Sequence, residues 1–427
     1  MITSHARNPK AILLGAFSRF NYGDLLFPLI VGNEFDQFSP ATKREVYALF
    51  ESDMSRFGAA KTKPVRSLHR AGSLDTGDVV VFAGGGTIGV DWTYMYSNLL
   101  GKRGNTALYY LKRFLGEQAA DTLCRIRLGV HRPYPWIAAP EDFPVPVKIA
   151  YNAVGGSEFG KLPVLTQDRI LRHLDKASYL SVRDAETQRL LSRLEDVSIE
   201  LAPDSAILMS EQYPVERLET LVSSSILDTL NGNPYVCFQT HISYARAHTD
   251  NIVTALEEIR EAYGLRAVLL PIGRYVGLED QVALEGIQKR MRSPCNVISD
   301  EASLFDIMLT IARAKVFVGT SLHGNITSQS FCVPHLGLSD TPCKVDYYLG
   351  TWDLPEQSRC VPLKEIPDQV GKIIRIPDAT MKNKRQELIS RSHSNFAKLA
   401  KACDLEWSDE STDIVKTTSA SDDKRIA

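Results

Sequence analysis

What this chain lacks narrows what it can be. It has almost no net charge: 49 Lys and Arg stand against 51 Asp and Glu, a balance of −2. No global field draws in nucleic acid or anionic lipid, so an anion site has to be built locally. No stretch approaches the ~20 consecutive apolar residues of a membrane span. The opening run, MITSHARNPKAILLGAF, holds only about seven apolar residues in its core, too few for a secretory signal with a small-residue cleavage site. Seven cysteines, at 124, 237, 295, 332, 343, 360 and 403, never form CxxC, which argues against a zinc ribbon or a thioredoxin motif. So scattered a set suits a reducing compartment. His131, His241, His248 and His335 show no HExxH or other ligand spacing, so no metal is expected. These shortages predict a soluble cytoplasmic protein without a nucleic-acid partner. A membrane-bound substrate remains within peripheral reach, at the inner face of the membrane.

What is present is length and alternation. A chain of 427 residues exceeds what one core usually supports, which favours two domains. Hydrophobic residues make up 44% and charged ones 23%, as in a soluble globular protein. Short apolar runs alternate with helical patterns. AILLGAF (11–17), DVVVFAGGG (78–86), VKIAYNAVGG (147–156), Tyr179–Val182 and IELAPDSAIL read as strands of one series. PYVCFQTH (234–241), RAVLLPIGR, CNVIS, KVFVGTS and HLGL form a second. Helices fall between them, among them TDNIVTALEEIREAYG with Thr249 as N-cap and Gly264 as C-cap, SLFDIMLTIARA, and NITSQSFCV. Such alternation predicts parallel sheets covered by helices on both faces, an α/β class with two doubly wound domains. The expected division is 1–210 for the first and 211–407 for the second, the latter with C-terminal helices. Residues 116–146, rich in proline and aromatics, read as an ordered insertion or a lid. The polar segment 408–427 reads as a disordered tail.

In open α/β sheets, ligands bind beyond the carboxyl ends of the strands. Several stretches sit there. NYGD (21–24) follows the first strand, with Asp24 near a helix N-cap and Asn21 and Gly23 beside it. GGGTIG (84–89) fits GxGxxG in letters, but neither a clean helix nor an acid about twenty residues on follows, so nicotinamide binding is disfavoured. Gly84, Gly85 and Gly86 are better read as a glycine loop lining a substrate cleft, against a plain strand-end turn. In YLSVRDAET, Arg183 directly follows a strand. A surface ion pair is one reading, and a guanidinium fork on phosphate or carboxylate the other. In VGTSLHGN, His323 follows a strand end. Histidine is the side chain suited to proton transfer near neutral pH, and a helix-capping histidine is the structural alternative. Gly324 beside it would leave room for a close ligand. Ser321 is no hydrolase nucleophile, since Leu322 and His323 break GxSxG. Lys344, in TPCKVDYYL, is either a point charge for an anion or a solvated lysine.

NYGD, VFAGGG, SVRD, the PD of LAPDSAIL, the HG of SLHG and the K of CKVDYYLG come in the order seen in polysaccharide pyruvyltransferases. The chain resembles that family over roughly residues 11 to 350. The resemblance implies a GT-B-like fold, two Rossmann-like domains around a cleft. It also implies transfer of a pyruvyl group from phosphoenolpyruvate, a co-substrate, to a glycan or lipid-linked sugar, forming a ketal. Arg183 matches the family's SVRD arginine and His323 its HG histidine. Many members carry arginine two positions before that histidine, where this chain has Ser321. Lys344, or Arg274 in LLPIGRYVG, is the candidate replacement. The resemblance then makes His323 and Arg183 catalytic. Their strand-end positions, taken with it, make Asn21, Gly23, Asp24, Gly84, Gly85, Gly86, Ser321, Gly324, Arg274 and Lys344 the substrate-binding candidates, and no cofactor is expected. Two other functions stay open on the residues alone: a GT-B glycosyltransferase using a nucleotide sugar, and a non-catalytic glycan-binding relative.

Overall fold

Runs of four or five apolar residues become strands buried on both faces in the computed structural model, which describes residues 8–408 apart from 71, 98, 101 and 275–278. Eight strands build the first sheet: β1 (Ala11–Leu14), β2 (Arg44–Ala48), β3 (Ser52–Asp53), β4 (Lys61–Pro64), β5 (Val79–Phe82), β6 (Lys148–Val154), β7 (Tyr179–Val182) and β8 (Ile199–Leu201). Their order is β3-β4-β2-β1-β5-β6-β7-β8. All neighbours pair in parallel except the edge strand β3, which runs against β4. The second sheet is wholly parallel: β9 (Tyr235–Gln239), β10 (Arg266–Leu269), β11 (Cys295–Val297), β12 (Val316–Gly319) and β13 (His335–Gly337), in the order β11-β10-β9-β12-β13.

The strand period shows directly in the cores. Ala11, Leu13, Val79 and Val81 face one helical layer, and Ile12, Leu14, Val80 and Phe82 face the other. The first layer is continuous with the second domain. Tyr22, Leu26 and Met209 pack in one core with Leu322, Ile326 and Tyr348. Tyr22 shares a 2.9 Å hydroxyl hydrogen bond with Thr327 across that seam. The long helix Asp378–Ala402 returns to the first sheet. There Asn395 donates to Asn152 (2.6 Å) and accepts from the Tyr179 hydroxyl (2.8 Å).

Some local expectations need correction. Helix Ile242–Tyr263 starts seven residues before Thr249, at an N-cap supplied by His241. Thr249 lies inside it and donates its hydroxyl to the Ala245 carbonyl at 2.7 Å. Gly264 does end it, in the left-handed conformation at φ 70°. The helix read from Asn325 begins at Leu322, which moves His323 from loop to first turn. Residues 116–146 are ordered but do not cover the cleft. Helix Glu117–Leu128 and the buried Trp136, Ile137 and Ala138 pack on the outer face of the first sheet, where the Tyr151 hydroxyl accepts from the Ala138 amide at 3.0 Å. Of the expected tail, 409–427 lie outside the described residues, while the Ser408 amide donates to the Phe38 carbonyl at 2.7 Å. No helix among the described residues is long and apolar enough to cross a membrane.

Candidate active site

The carboxyl ends of both sheets face a cavity of about 430 Å³ between the domains. Its floor is a direct link between them: Asn21 and Gly273 form an antiparallel bridge. Five helices of nine or more residues start at its wall. Four do so through the lining N-cap residues Asn21, His241, Ser321 and Cys343, and the fifth through its first residue, Asp280. Each helix start presents unpaired amides and a partial positive charge worth ~0.3–1 kcal/mol to a nearby anion. Five converging starts make this wall electropositive in a chain whose net charge is −2.

Arg183 and His323 meet at one oxygen. Arg183 leaves β7 with its side chain 4% exposed, and its Nη1 donates to Asp204 Oδ2 at 2.9 Å. His323 Nε2 stands 3.6 Å from the same oxygen, just beyond hydrogen-bond reach, and has no other partner among the described residues. Asp204 is fully buried, and its Oδ1 accepts the Ala206 amide at 3.1 Å. Burial pushes its carboxyl up, but His323 and then Arg183 outweigh that, and the net shift is downward. The Asp204 carboxylate therefore holds Arg183 and faces the His323 ring. The Arg183 backbone is fixed in turn, since Trp352 Nε1 donates to its carbonyl at 2.6 Å.

Glycines make this approach possible. A Cβ on Gly23 would lie 1.9 Å from His323 Nδ1, and one on Gly155 would lie 2.8 Å from Arg183 Nε. Gly23 thus serves the site by letting the imidazole lie against the first helix. Gly23→Ala is expected to swing the ring out of line and lower turnover at least about tenfold. Alanine is the better helix former, so the thermal midpoint should move little. Steady-state rates and a melting curve on the one variant separate the two effects.

Lys344 lines the same cavity, as the first residue of helix Lys344–Trp352. It opens onto solvent in the cleft although protein crowds it. Desolvation, and then the charge of Arg183, hold its ammonium below the usual lysine value. It has no carboxylate partner among the described residues. Asp280 is buried, and its Oδ2 accepts from Gln239 Nε2 (2.8 Å), Gly273 N (3.0 Å) and Ile272 N (3.1 Å). Burial raises its carboxyl to about 6 against those donors. Desolvation, and then Lys344, lower the value of His241, whose Nδ1 accepts the Tyr244 amide as the cap of its helix.

Of the residues expected at a site, Asn21, Asp24, Gly86, Arg183, Ser321, His323 and Lys344 line this cavity. Asn21 is the first helix's N-cap without a side-chain capping bond, and Asp24 sits in the first turn 3.4 Å from Arg19. Ser321 is the N-cap of helix Leu322–Ser330, accepting the Gly324 amide at 3.2 Å. The histidine is therefore not the cap. Gly84 and Gly85 stand behind the lining at φ 125° and 89°. There Gly84 admits Phe27, whose ring meets His323 edge-on at 5.4 Å. Gly324 makes room for Phe317, whose Cζ lies 2.3 Å from a built Cβ, and not for a ligand. Arg274 is outside the cavity, stacked 3.7 Å above the Phe20 ring and donating to the Ala302 carbonyl at 2.5 Å. Its neighbours 275–278 lie outside the described residues.

Sequence reasoning gave no role to Asp204, Gln239, His241 or Asp280. Asp204 had a signal, as the aspartate of the PD motif. Gln239 ends β9, His241 caps the helix after it and Asp280 opens another, and only packing brings the Gln239 amide onto the Asp280 carboxylate, 41 positions away. Cys343, Asp346 and Cys360 bring ligand atoms within 4.8 Å of one another, the one group of this kind among the described residues. Both Asp346 oxygens already accept amides, from Cys343 at 3.0 Å and Cys360 at 2.8 Å, which leaves two thiols as its free donors.

A model of the polysaccharide pyruvyl transferase family matches residues 21–342. No curated protein matches the chain. Among solved structures, the S. aureus MnaA–UDP co-structure is 13% identical, covers 89% of this chain and 91% of its own, and superposes with a TM-score of 0.53. The UDP-GlcNAc 2-epimerase from Neisseria meningitidis, bound to UDP-GlcNAc, is 10% identical over 92% of this chain and 100% of its own, at 0.53. The Methanocaldococcus jannaschii UDP-GlcNAc 2-epimerase, in complex with UDP-GlcNAc and UDP, is 12% identical over 87% and 94%, at 0.51. At such identities the likeness is one of fold: two Rossmann-like domains facing a cleft, in the GT-B-like arrangement.

Proposed function

Since the chain belongs to the polysaccharide pyruvyl transferase family and is a transferase, we propose that it moves a pyruvyl group from phosphoenolpyruvate to a sugar of a cell-surface polysaccharide or its lipid-linked precursor. The product is a ketal across two hydroxyls. One observation carries this reading: an imidazole and a guanidinium share one buried carboxylate oxygen, at a cavity walled by helix starts and facing an unpaired lysine.

The donor carries a carboxylate and a phosphate, and the wall offers amides, Lys344 and Arg183 to hold them. His323 delivers a proton to the methylene carbon of the enol ester. That leaves positive charge at the neighbouring carbon, which a first sugar hydroxyl attacks as it loses its proton. A second hydroxyl then displaces phosphate at the same carbon. The balance is phosphoenolpyruvate plus diol giving ketal plus inorganic phosphate. Lys344 takes the place of the guanidinium missing at Ser321 and offsets charge on the departing phosphate. Arg183 both holds Asp204 and adds its field to the anion site. Asp280, raised to about 6, is placed to accept a hydroxyl proton near neutral pH. The reaction runs in the cytoplasm or at the inner face of the membrane and needs no cofactor.

The GT-B neighbours hold UDP or UDP-GlcNAc, so nucleotide sugars are the control. Phosphoenolpyruvate at a hundred times its Kd should stabilise the protein by about 2.7 kcal/mol, and UDP- and GDP-sugars by much less. A melting shift with nucleotide sugars alone would replace this reading with a glycosyltransferase. Absence of phosphate release with every acceptor, despite donor binding, would leave a glycan-binding relative.

A further inference from the structure

Helices Lys102–Leu115 and Glu117–Leu128 follow one another across Gly116. Leu108, Cys124 and Leu128 anchor them to the outer core of the first domain. Their other faces are unusual. Six of the twelve large exposed hydrophobic residues among the described ones fall on this pair: Tyr109, Tyr110, Phe114, Leu115, Leu123 and Ile126. Phe114 is 81% exposed and Ile126 70%. Scattered single apolar residues are ordinary on a surface, but a concentration on one pair of helices marks a contact face.

The charges say what it contacts. Between residues 102 and 128 the sequence has six basic residues (Lys102, Arg103, Lys112, Arg113, Arg125, Arg127) and two acids (Glu117, Asp121). Both acids are taken, Glu117 by Lys112 at 2.9 Å and Asp121 by Arg125 at 3.4 Å. Arg103, Arg113 and Arg127 are exposed and have no carboxylate partner among the described residues. This positive excess runs against the chain's overall −2. Aromatic and branched side chains flanked by unpaired arginines are what an amphipathic helix offers to the headgroup layer of an acidic bilayer. A second copy would match the apolar residues, but a two-fold axis through the patch would bring its arginines against their own kind.

We propose that this helix pair docks the protein peripherally on an anionic lipid surface. The surface belongs to the domain that supplies one wall of the cleft: only five residues lie between Gly86, on the cavity wall, and Trp92, which opens the neighbouring helix Trp92–Ser97. The purpose rests on the reading of a lipid-linked acceptor given above; the docking itself does not.

The test is co-sedimentation of the full chain with vesicles of phosphatidylglycerol and phosphatidylcholine, against vesicles of phosphatidylcholine alone. Binding to the acidic vesicles should be at least about tenfold tighter and should weaken with added salt. Phe114→Ser with Ile126→Ser should lose that binding about tenfold or more, with turnover on a soluble acceptor unchanged. Arg113→Glu with Arg127→Glu should erase the preference for acidic lipid. The proposal falls if the wild type ignores acidic vesicles, or if the serine variant binds them equally well. It also falls if ultracentrifugation shows a wild-type dimer that the serine variant dissolves, because the face then joins two copies. Vesicle binding needs no turnover, so its failure leaves the phosphate-release assay standing, and failure of that assay leaves docking standing.

Discussion

His323→Ala should lower ketal formation by about 10²–10⁴-fold, the range that one positioned proton donor contributes. Phosphoenolpyruvate should still bind the variant, since the helix starts, Lys344 and Arg183 remain. The imidazole is held on three sides: Gly23 beneath it, Phe27 edge-on, and Asp204 3.6 Å from Nε2. Its Nε2 has no hydrogen-bond partner among the described residues, as suits a group that must pass its proton to a substrate. Phosphate release and donor titration on the same preparation make the check. A variant that turns over normally would remove the histidine from the chemistry. A variant that loses donor binding instead would make it a binding residue.

Asp204→Ala should have the largest effect on the folded state. Asp204 and the Arg183 side chain are 0% and 4% exposed, so the pair lies out of water. Removing one member leaves the other buried and uncompensated, at about 3–5 kcal/mol. For domains of this size that corresponds to a fall in Tm of roughly 10 °C. Activity should fall with it, because Arg183 loses the group that holds it and His323 the carboxylate it faces. Asp204→Asn keeps the shape and should cost less. The pH dependence adds a signature. The folded carboxyl lies below its unfolded value, so its contribution is present above the unfolded value near 4 and fades as pH falls through the folded one. Asp204→Asn should therefore lose stability relative to wild type at pH 7 and less so in acid. An unchanged melting curve for Asp204→Ala would show that the pair carries no load.

Much of the frame could be read along the chain. The apolar runs of β1, β5, β7, β9, β10 and β12 are short, rich in branched residues and closed by turn formers, so they could be little else than buried strands. The strands β2, β3 and β4 on one flank of the sheet escaped notice because half-exposed segments such as REVYA and KTKP carry no continuous apolar run. The SVRD and SLHG motifs pointed to strand ends whose Arg183 and His323 line the cavity, and the PD motif to the Asp204 beside both. Arg274 misled for the same reason. It also follows a strand, but Phe20 and Phe57 draw its guanidinium aside, at 3.7 and 5.4 Å.

Hydrophobic period and turn chemistry, both local properties, determined the parallel cores of the two sheets and the strand ends that open onto the cleft. The closing of Arg183, Asp204 and His323 onto one oxygen was decided only by tertiary packing. They lie 21 and 119 positions apart, and their meeting depends on how the two domains abut and on glycines whose missing side chains matter only once a distant ring arrives. That Lys344 lines the cleft while Arg274 stacks on Phe20 outside it was decided likewise, since a side chain's direction depends on neighbours that no local pattern names.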